Sequence, residues 1–161
     1  MNQLGLHRYE RIWIGFGFAM IATFLILTGI SAFGGGHTPS TGMHMMDQTL
    51  VHSTPPFDKP GLYKVAGKNQ YEAVVVAYQF GFQPTELNVP RGAHVRFLVT
   101  SVDVVHGFEI PGHANVNMMV LPGYVSEVKQ TFDRPGTYLV MCHEYCGLGH
   151  HFMTMHIKVD A

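Results

Sequence analysis

The run Cys142-His143-Glu144-Tyr145-Cys146-Gly147-Leu148-Gly149-His150-His151-Phe152-Met153 gathers two thiols, three imidazoles and a thioether near the C-terminus. Cys146 follows Cys142 by four positions, His150 follows Cys146 by four, and Met153 follows His150 by three. Soft sulfur ligands select Cu(I), zinc or iron–sulfur centres, while imidazole suits copper and zinc. Zinc rarely takes a thioether, so Met153 tilts the set to copper. One Cys, two His and a weak Met describe a mononuclear blue-copper site. The second thiolate is one too many for that, and two thiolates can bridge a pair of coppers. The pattern therefore points to a binuclear copper centre that passes electrons. A disulfide between the two cysteines is the competing reading, which an oxidising compartment permits.

Such ligands need rigid elements to hold them. From about residue 71 the chain reads as short strands broken by Pro and Gly. The spacing predicts strands over 71–78, 86–89, 93–101, 104–110, 115–121, 124–132, 136–141 and 153–159. Residues 93–101 alternate, with Val95, Phe97 and Val99 on one face and His94, Arg96 and Thr100 mainly on the other. Short strands at this spacing indicate an all-β Greek-key sandwich or barrel. Cys142 then lies just past one strand and Met153 begins the next, so the core holds the ligand loop at both ends. One more ligand must come from elsewhere. His106, in Asp103-Val104-Val105-His106-Gly107-Phe108, is the best candidate, because it occupies a strand beginning among apolar neighbours.

The chain has 161 residues, a net charge of −1 and 13% charged residues. The near-neutral charge argues against nucleic acid as a partner. The scarcity of charge indicates that part of the chain does not face water. Two cysteines are too few for a disulfide framework. Residues 12–33 carry no charge and would form a helix about 33 Å long, enough to cross a hydrocarbon core of about 30 Å. His7, Arg8 and Arg11 precede this span, against the single acid Glu10. The positive-inside rule then puts residues 1–11 in the cytoplasm and the rest outside, with the span in membrane lipid. A cleaved signal peptide is the rival, but its apolar core would be shorter, about 7–15 residues, and Ser31-Ala32-Phe33 is a poor cleavage site. Residues 34–70 read as a linker, with Gly34-Gly35-Gly36, Pro55-Pro56 and Pro60-Gly61 as breakers. His37, His44, Met43, Met45 and Met46 lie in it, either as a weak copper site or as contacts to lipid or a partner. The copper-bearing domain is expected over 71–161.

The chain resembles subunit II of haem–copper terminal oxidases. The residues that carry this are the Cys-x-Glu-x-Cys-x-x-x-His-x-x-Met pattern at Cys142, Glu144, Cys146, His150 and Met153; Ser101-Val102-Asp103-Val104-Val105-His106-Gly107-Phe108; Leu121-Pro122-Gly123; and Phe132-Asp133-Arg134-Pro135-Gly136-Thr137-Tyr138. The single apolar span and the Tyr-Cys-Gly-Leu-Gly-His run are most similar to the short B-type form.

The resemblance implies a cupredoxin-like outer domain carrying the two-copper centre called CuA. It implies Cys142 and Cys146 as bridging thiolates, His106 and His150 as one imidazole per copper, Met153 as a weak ligand on one copper and the Glu144 carbonyl on the other. The family spacing favours His150 and Met153 over His151 and Met155. Glu144 stands where the B-type form carries Gln. In A-type enzymes the matching carboxylate binds magnesium at a subunit interface, and the resemblance leaves open whether Glu144 does so. Asp103 is a candidate to orient the His106 loop, or simply to cap it. Tyr78 and Phe80 lie where the family admits electrons, with strand-end packing as the alternative.

The implied function is to take single electrons from cytochrome c or a small copper protein and to pass them to haem in a catalytic subunit I, where oxygen is reduced. The same module in a nitric oxide reductase, and a membrane-tethered copper carrier or chaperone, are the alternatives. Residues 71–161 contain eight acids and five bases. That surface would steer a basic donor only weakly, so docking would rest more on apolar contact.

Overall fold

The computed structural model describes residues 7–34 and 44–161. The chain divides into two compact units, residues 1–37 and residues 38–161.

In the first unit a single helix, α1, runs over Arg8–Gly34. Its 27 residues make it about 40 Å long. Large apolar side chains point outward all round it, including Trp13, Phe16, Phe18, Ile21, Phe24, Leu27 and Ile30. A helix without a polar face suits lipid rather than water.

The second unit is a sandwich of two sheets. The first holds β1 (His44–Met45), β9 (Tyr124–Phe132), β6 (Ala93–Ser101), β3 (Gln70–Tyr78) and β2 (Gly61–Lys64) in that order, with β4 (Gly81–Gln83) paired to β3. The second holds β5 (Glu86–Val89), β11 (Thr154–Val159), β10 (Gly136–Met141), β7 (His106–Glu109) and β8 (Asn117–Val120). Strands β3 and β6 run parallel, as do β5 and β11, whereas β10 and β11 form an antiparallel hairpin. The inner faces meet in a core that includes Phe82, Phe97, Phe108 and Phe132. The Phe97 ring lies 5.4 Å from Phe108 and 6.2 Å from Phe132, and Phe82 meets Phe108 edge-on at 5.8 Å.

The strands expected from spacing form close to their expected bounds, with three differences. Residues 102–105 form a turn, and β7 begins only at His106. The Ser101 hydroxyl donates to the Val104 carbonyl at 2.6 Å, and Asp103 Oδ1 accepts from the Val104 N–H at 2.6 Å, which closes that turn. The chain continues past Tyr78 into a hairpin, β3–β4, rather than stopping at Gly81.

The third difference is the stretch expected as a linker. Within 34–70, β1 pairs with β9, β2 pairs with β3, and a 3-10 helix forms over Gln48–Ser53. Asp47 caps that helix, accepting from the Thr49 N–H at 2.9 Å. Val51 and Phe57 are buried against Val74, Val76, Leu98 and Val125 on the outer face of the first sheet, with Met46 beside them. This explains why the alternation in 93–101 fails at its end: Leu98, Val99, Thr100 and Ser101 are all buried, because residues from the presumed linker cover the outer face. Of the Met and His residues in that stretch, His44 and Met45 are exposed in β1, while His37 and Met43 lie outside the described residues.

Candidate metal centre

The centre sits where β7 begins and where β10 hands over to β11. The β10–β11 hairpin holds the ligand loop shut: Met141 pairs with Thr154, and the Cys142 N–H donates to the Met153 carbonyl at 3.2 Å. Glu109 of β7 pairs with Met141, which brings the start of β7 alongside the loop. Within the loop, Gly147 has φ +129°, a conformation that favours glycine. The turn it makes leads into a short 3-10 helix over His150–Phe152. The Met153 N–H donates to the His150 carbonyl at 3.1 Å, a one-turn step that brings both side chains toward Cys146.

Both cysteines are free and buried. Cys142 Sγ lies 3.1 Å from the Glu144 carbonyl oxygen and 4.0 Å from His106 Nδ1. Cys146 Sγ lies 3.6 Å from His150 Nδ1 and 3.7 Å from Met153 Sδ. Ligand atoms of His106, Cys142 and Cys146 all fall within 4.8 Å of one another. At metal–ligand bonds of about 2.0–2.3 Å, two ligands on one ion stand roughly 3.3–3.8 Å apart. The observed spacings of 3.1–4.0 Å bracket that range, and each thiol has its own imidazole nitrogen. This donor set fits soft, thiolate-binding copper.

The surroundings orient these groups. His106 is fully buried, and its Nε2 meets Asp103 Oδ1 at 2.7 Å, which leaves Nδ1 facing Cys142. Asp103 Oδ2 also accepts from the Gln79 N–H at 2.7 Å. Burial alone would raise the Asp103 carboxyl, but hydrogen bonds from His106, Gln79 and Val104 outweigh it and hold the group below the usual carboxylate range. So Asp103 both orients His106 and caps its turn. Burial first, and Cys142 second, push the Cys146 thiol up to about 11. Left alone that thiol stays protonated, and holding both sulfurs as thiolates would take a metal ion beside them.

His151 is exposed, with its ring tilted against that of Phe152, while Met155 is buried in the core on β11. The Glu144 carboxylate is partly exposed and stands 3.8 Å from His143 Nε2. Tyr78 and Phe80 are partly exposed at the β3–β4 turn, and the Phe80 ring lies against Gly147 and Gly149 of the ligand loop.

Three contributors were not legible in the sequence. The Gly107 N–H donates to Cys142 Sγ at 3.3 Å. The His143 ring covers Gly107 so closely that a Cβ there has no room. The Gln79 side chain donates to the Cys146 carbonyl at 2.7 Å. Backbone donors and through-space packing leave no mark in residue spacing. For Gln79 the only signal is its place between Tyr78 and Phe80.

A two-sheet β-sandwich with a buried His/Cys/Cys cluster at one end defines a cupredoxin-like protein of copper-binding type. Rusticyanin shares this fold, with a TM-score of 0.54 at 17% identity over 75% of this chain and 99% of that one. Residues 81–160 match the family described as "Cytochrome C oxidase subunit II, periplasmic domain". A cytochrome c oxidase subunit 2 of Thermus thermophilus is 42% identical over 148 residues, covering 90% of this chain and 88% of the relative. A second from the same species is 45% identical over 119 residues, covering 73% of this chain and 87% of the relative. A chain of a haem–copper terminal oxidase dimer superposes with a TM-score of 0.72 at 32% identity, over 95% of this chain and all of the other. The chain belongs to the cytochrome c oxidase subunit II family. It is a subunit of a haem–copper oxidase complex, and the catalytic subunit is among its partners.

Proposed function

We propose that this chain takes single electrons from a soluble donor at a two-copper centre and delivers them to haem in the catalytic subunit. The ligands are His106, Cys142, Cys146, His150, Met153 and the Glu144 carbonyl. When bound, a copper pair held by these residues would supply a one-electron relay. The convergence of both buried thiols, each with its own imidazole nitrogen within 4.0 Å, is the observation that carries this reading.

The protein's part is to hold still. The β10–β11 hairpin closes the loop, Gly107 donates to Cys142, and Asp103 fixes the His106 ring. Ligands held in this way move little when the charge at the site changes, which keeps the cost of reorganisation low. A mobile carrier, which must release copper, would gain nothing from such a closed site.

Electrons enter at the β3–β4 turn, where Phe80 touches the ligand loop and reaches solvent. Tyr145, Leu148 and Phe152 are exposed on the same loop. They offer apolar docking surface to cytochrome c or a small copper protein. The α1 helix anchors the chain in the membrane. Arg8 and Arg11 at its start support an N-terminus in the cytoplasm and a copper domain on the outer face. A magnesium ion at Glu144 would need further oxygen ligands from a partner chain, so the reading does not depend on one.

Metal analysis and paramagnetic resonance of the copper-loaded chain test this. The expected result is two coppers per chain and a seven-line pattern from one electron shared by two copper nuclei. One copper with a four-line pattern would support a carrier instead. Whether the purified complex, supplied with reduced donor, reduces oxygen or nitric oxide separates the two enzyme settings.

A further inference from the structure

We infer that Gln79 is a positioning residue for the copper loop, acting through the Cys146 carbonyl. This rests on the copper-pair reading above. Gln79 stands at the end of β3, between the two partly exposed aromatic side chains of Tyr78 and Phe80. It reaches both halves of the site at once. Its side-chain Nε2 donates to the Cys146 carbonyl at 2.7 Å, and its backbone N–H donates to Asp103 Oδ2 at 2.7 Å. The other oxygen of Asp103 meets His106 Nε2 at 2.7 Å. One residue therefore joins the loop that carries Cys146 to the turn that carries His106, across 67 positions of sequence on one side and 24 on the other.

The neighbouring Phe80 reinforces this grip. Its ring fills the space above Gly147 and Gly149, the two glycines that follow Cys146. The Cys146–Gly149 segment has no ladder partner in either sheet. Its position is set instead by the Gln79 amide, the Phe80 ring and the short 3-10 helix. A peptide carbonyl held by an amide donor cannot rotate freely, and Cys146 Sγ is two bonds from the Cα of that peptide. Gln79 thus fixes the direction of one bridging thiol, while Asp103 fixes the imidazole opposite the other. The turn that meets the donor and the turn that aims the ligands are the same segment.

The test uses the full chain, solubilised in detergent and loaded with copper. Gln79→Met keeps the length of the side chain and removes the donor, and leaves the backbone N–H to Asp103 in place. Gln79→Asn keeps a donor that stops about one bond short. In both variants the resonance and optical bands of the copper pair are expected to broaden and shift. Release of copper to a Cu(I) chelator is expected to speed up by about three- to tenfold, the worth of one lost hydrogen bond. Thermal unfolding of the copper-free chain, governed by the sandwich, serves as the control for a general structural defect. Spectra and release rates equal to wild type in Gln79→Met would sink this inference. Should Gln79→Met not fold, Gln79→Asn makes the same comparison. A wild-type chain without the shared-electron signal would instead sink the copper-pair reading, and this inference with it.

Discussion

The side chains proposed as ligands are soft or borderline donors, and Cys142 and His106 each have a neighbour that aims them, the Gly107 N–H and Asp103. The thiols are the part no substitute can fill. Replacing Cys146 with Ser should abolish the shared-electron signal and leave at most a mononuclear spectrum, read by paramagnetic resonance. A two-copper signal that survives in Cys146→Ser would contradict the bridging role. Asp103 is the clearest indirect contributor, because the buried His106 ring has its Nε2 on that carboxylate. Asp103→Ala frees the ring and leaves a buried nitrogen without a partner. Copper affinity should fall by about 10- to 100-fold, as measured by competition with a chelator. At this scale the sequence was informative wherever chemistry depends on residue type and spacing. Cys142, Cys146, His150 and Met153 could be picked from one run, and His106 from its setting. What it withheld were contacts made by generic groups. The Gly107 N–H and the Gln79 amide could belong to any residue of those kinds, and only the folded chain shows where they point.

Among the elements, the hairpin β10–β11 and the turn before β7 do most of the positioning. The loop over 142–153 is closed by backbone pairing that needs no metal. Removing copper should therefore leave the far-ultraviolet circular dichroism of the sandwich unchanged. Faster hydrogen exchange should be confined to residues 103–107 and 142–153. Exchange that spreads through β3, β6 and β9 would show that the metal holds the fold as well as the loop.

The segment before β2 matters in a different way. Phe57 and Val51 cover apolar side chains of β3, β6 and β9 that would otherwise face water. Phe57→Ala should destabilise the domain by about 3 kcal/mol. That corresponds to a fall of roughly 10 °C in the unfolding midpoint by calorimetry, while the copper spectrum stays as it was. The breakers in this segment hid its role: Pro55-Pro56 and Pro60-Gly61 prevent long elements, yet a short strand, a 3-10 helix and two buried side chains suffice to cover a sheet. The run Ala73-Val74-Val75-Val76-Ala77 held the missing signal, because a strand apolar on both faces must be covered on both.

For the whole molecule, the proposed function divides labour between a membrane anchor and a copper-bearing sandwich. A chain beginning at Thr38 keeps the second compact unit whole. It should stay in solution after ultracentrifugation, whereas the full chain should remain with membranes through a carbonate wash. The sandwich carries eight acids against five bases over 71–161 and exposes Tyr145, Leu148 and Phe152 on the ligand loop. Its reduction by a basic donor should change by less than about tenfold between low and physiological salt in stopped-flow measurements, since few charges are there to be screened. A steep salt dependence would move the docking site away from the apolar loop.

The amino-acid sequence alone determined most of the strands after residue 70, the membrane-length apolar run and the group of side chains with the chemistry to bind copper. All three follow from residue type and local period, which a chain cannot change by folding. Tertiary structure alone decided that the presumed linker is part of the sandwich, that His106 begins its strand facing Cys142, and that one glutamine ties the two halves of the site together. Those facts depend on distances between residues far apart in the chain, and such distances exist only once both sheets have closed over a shared core.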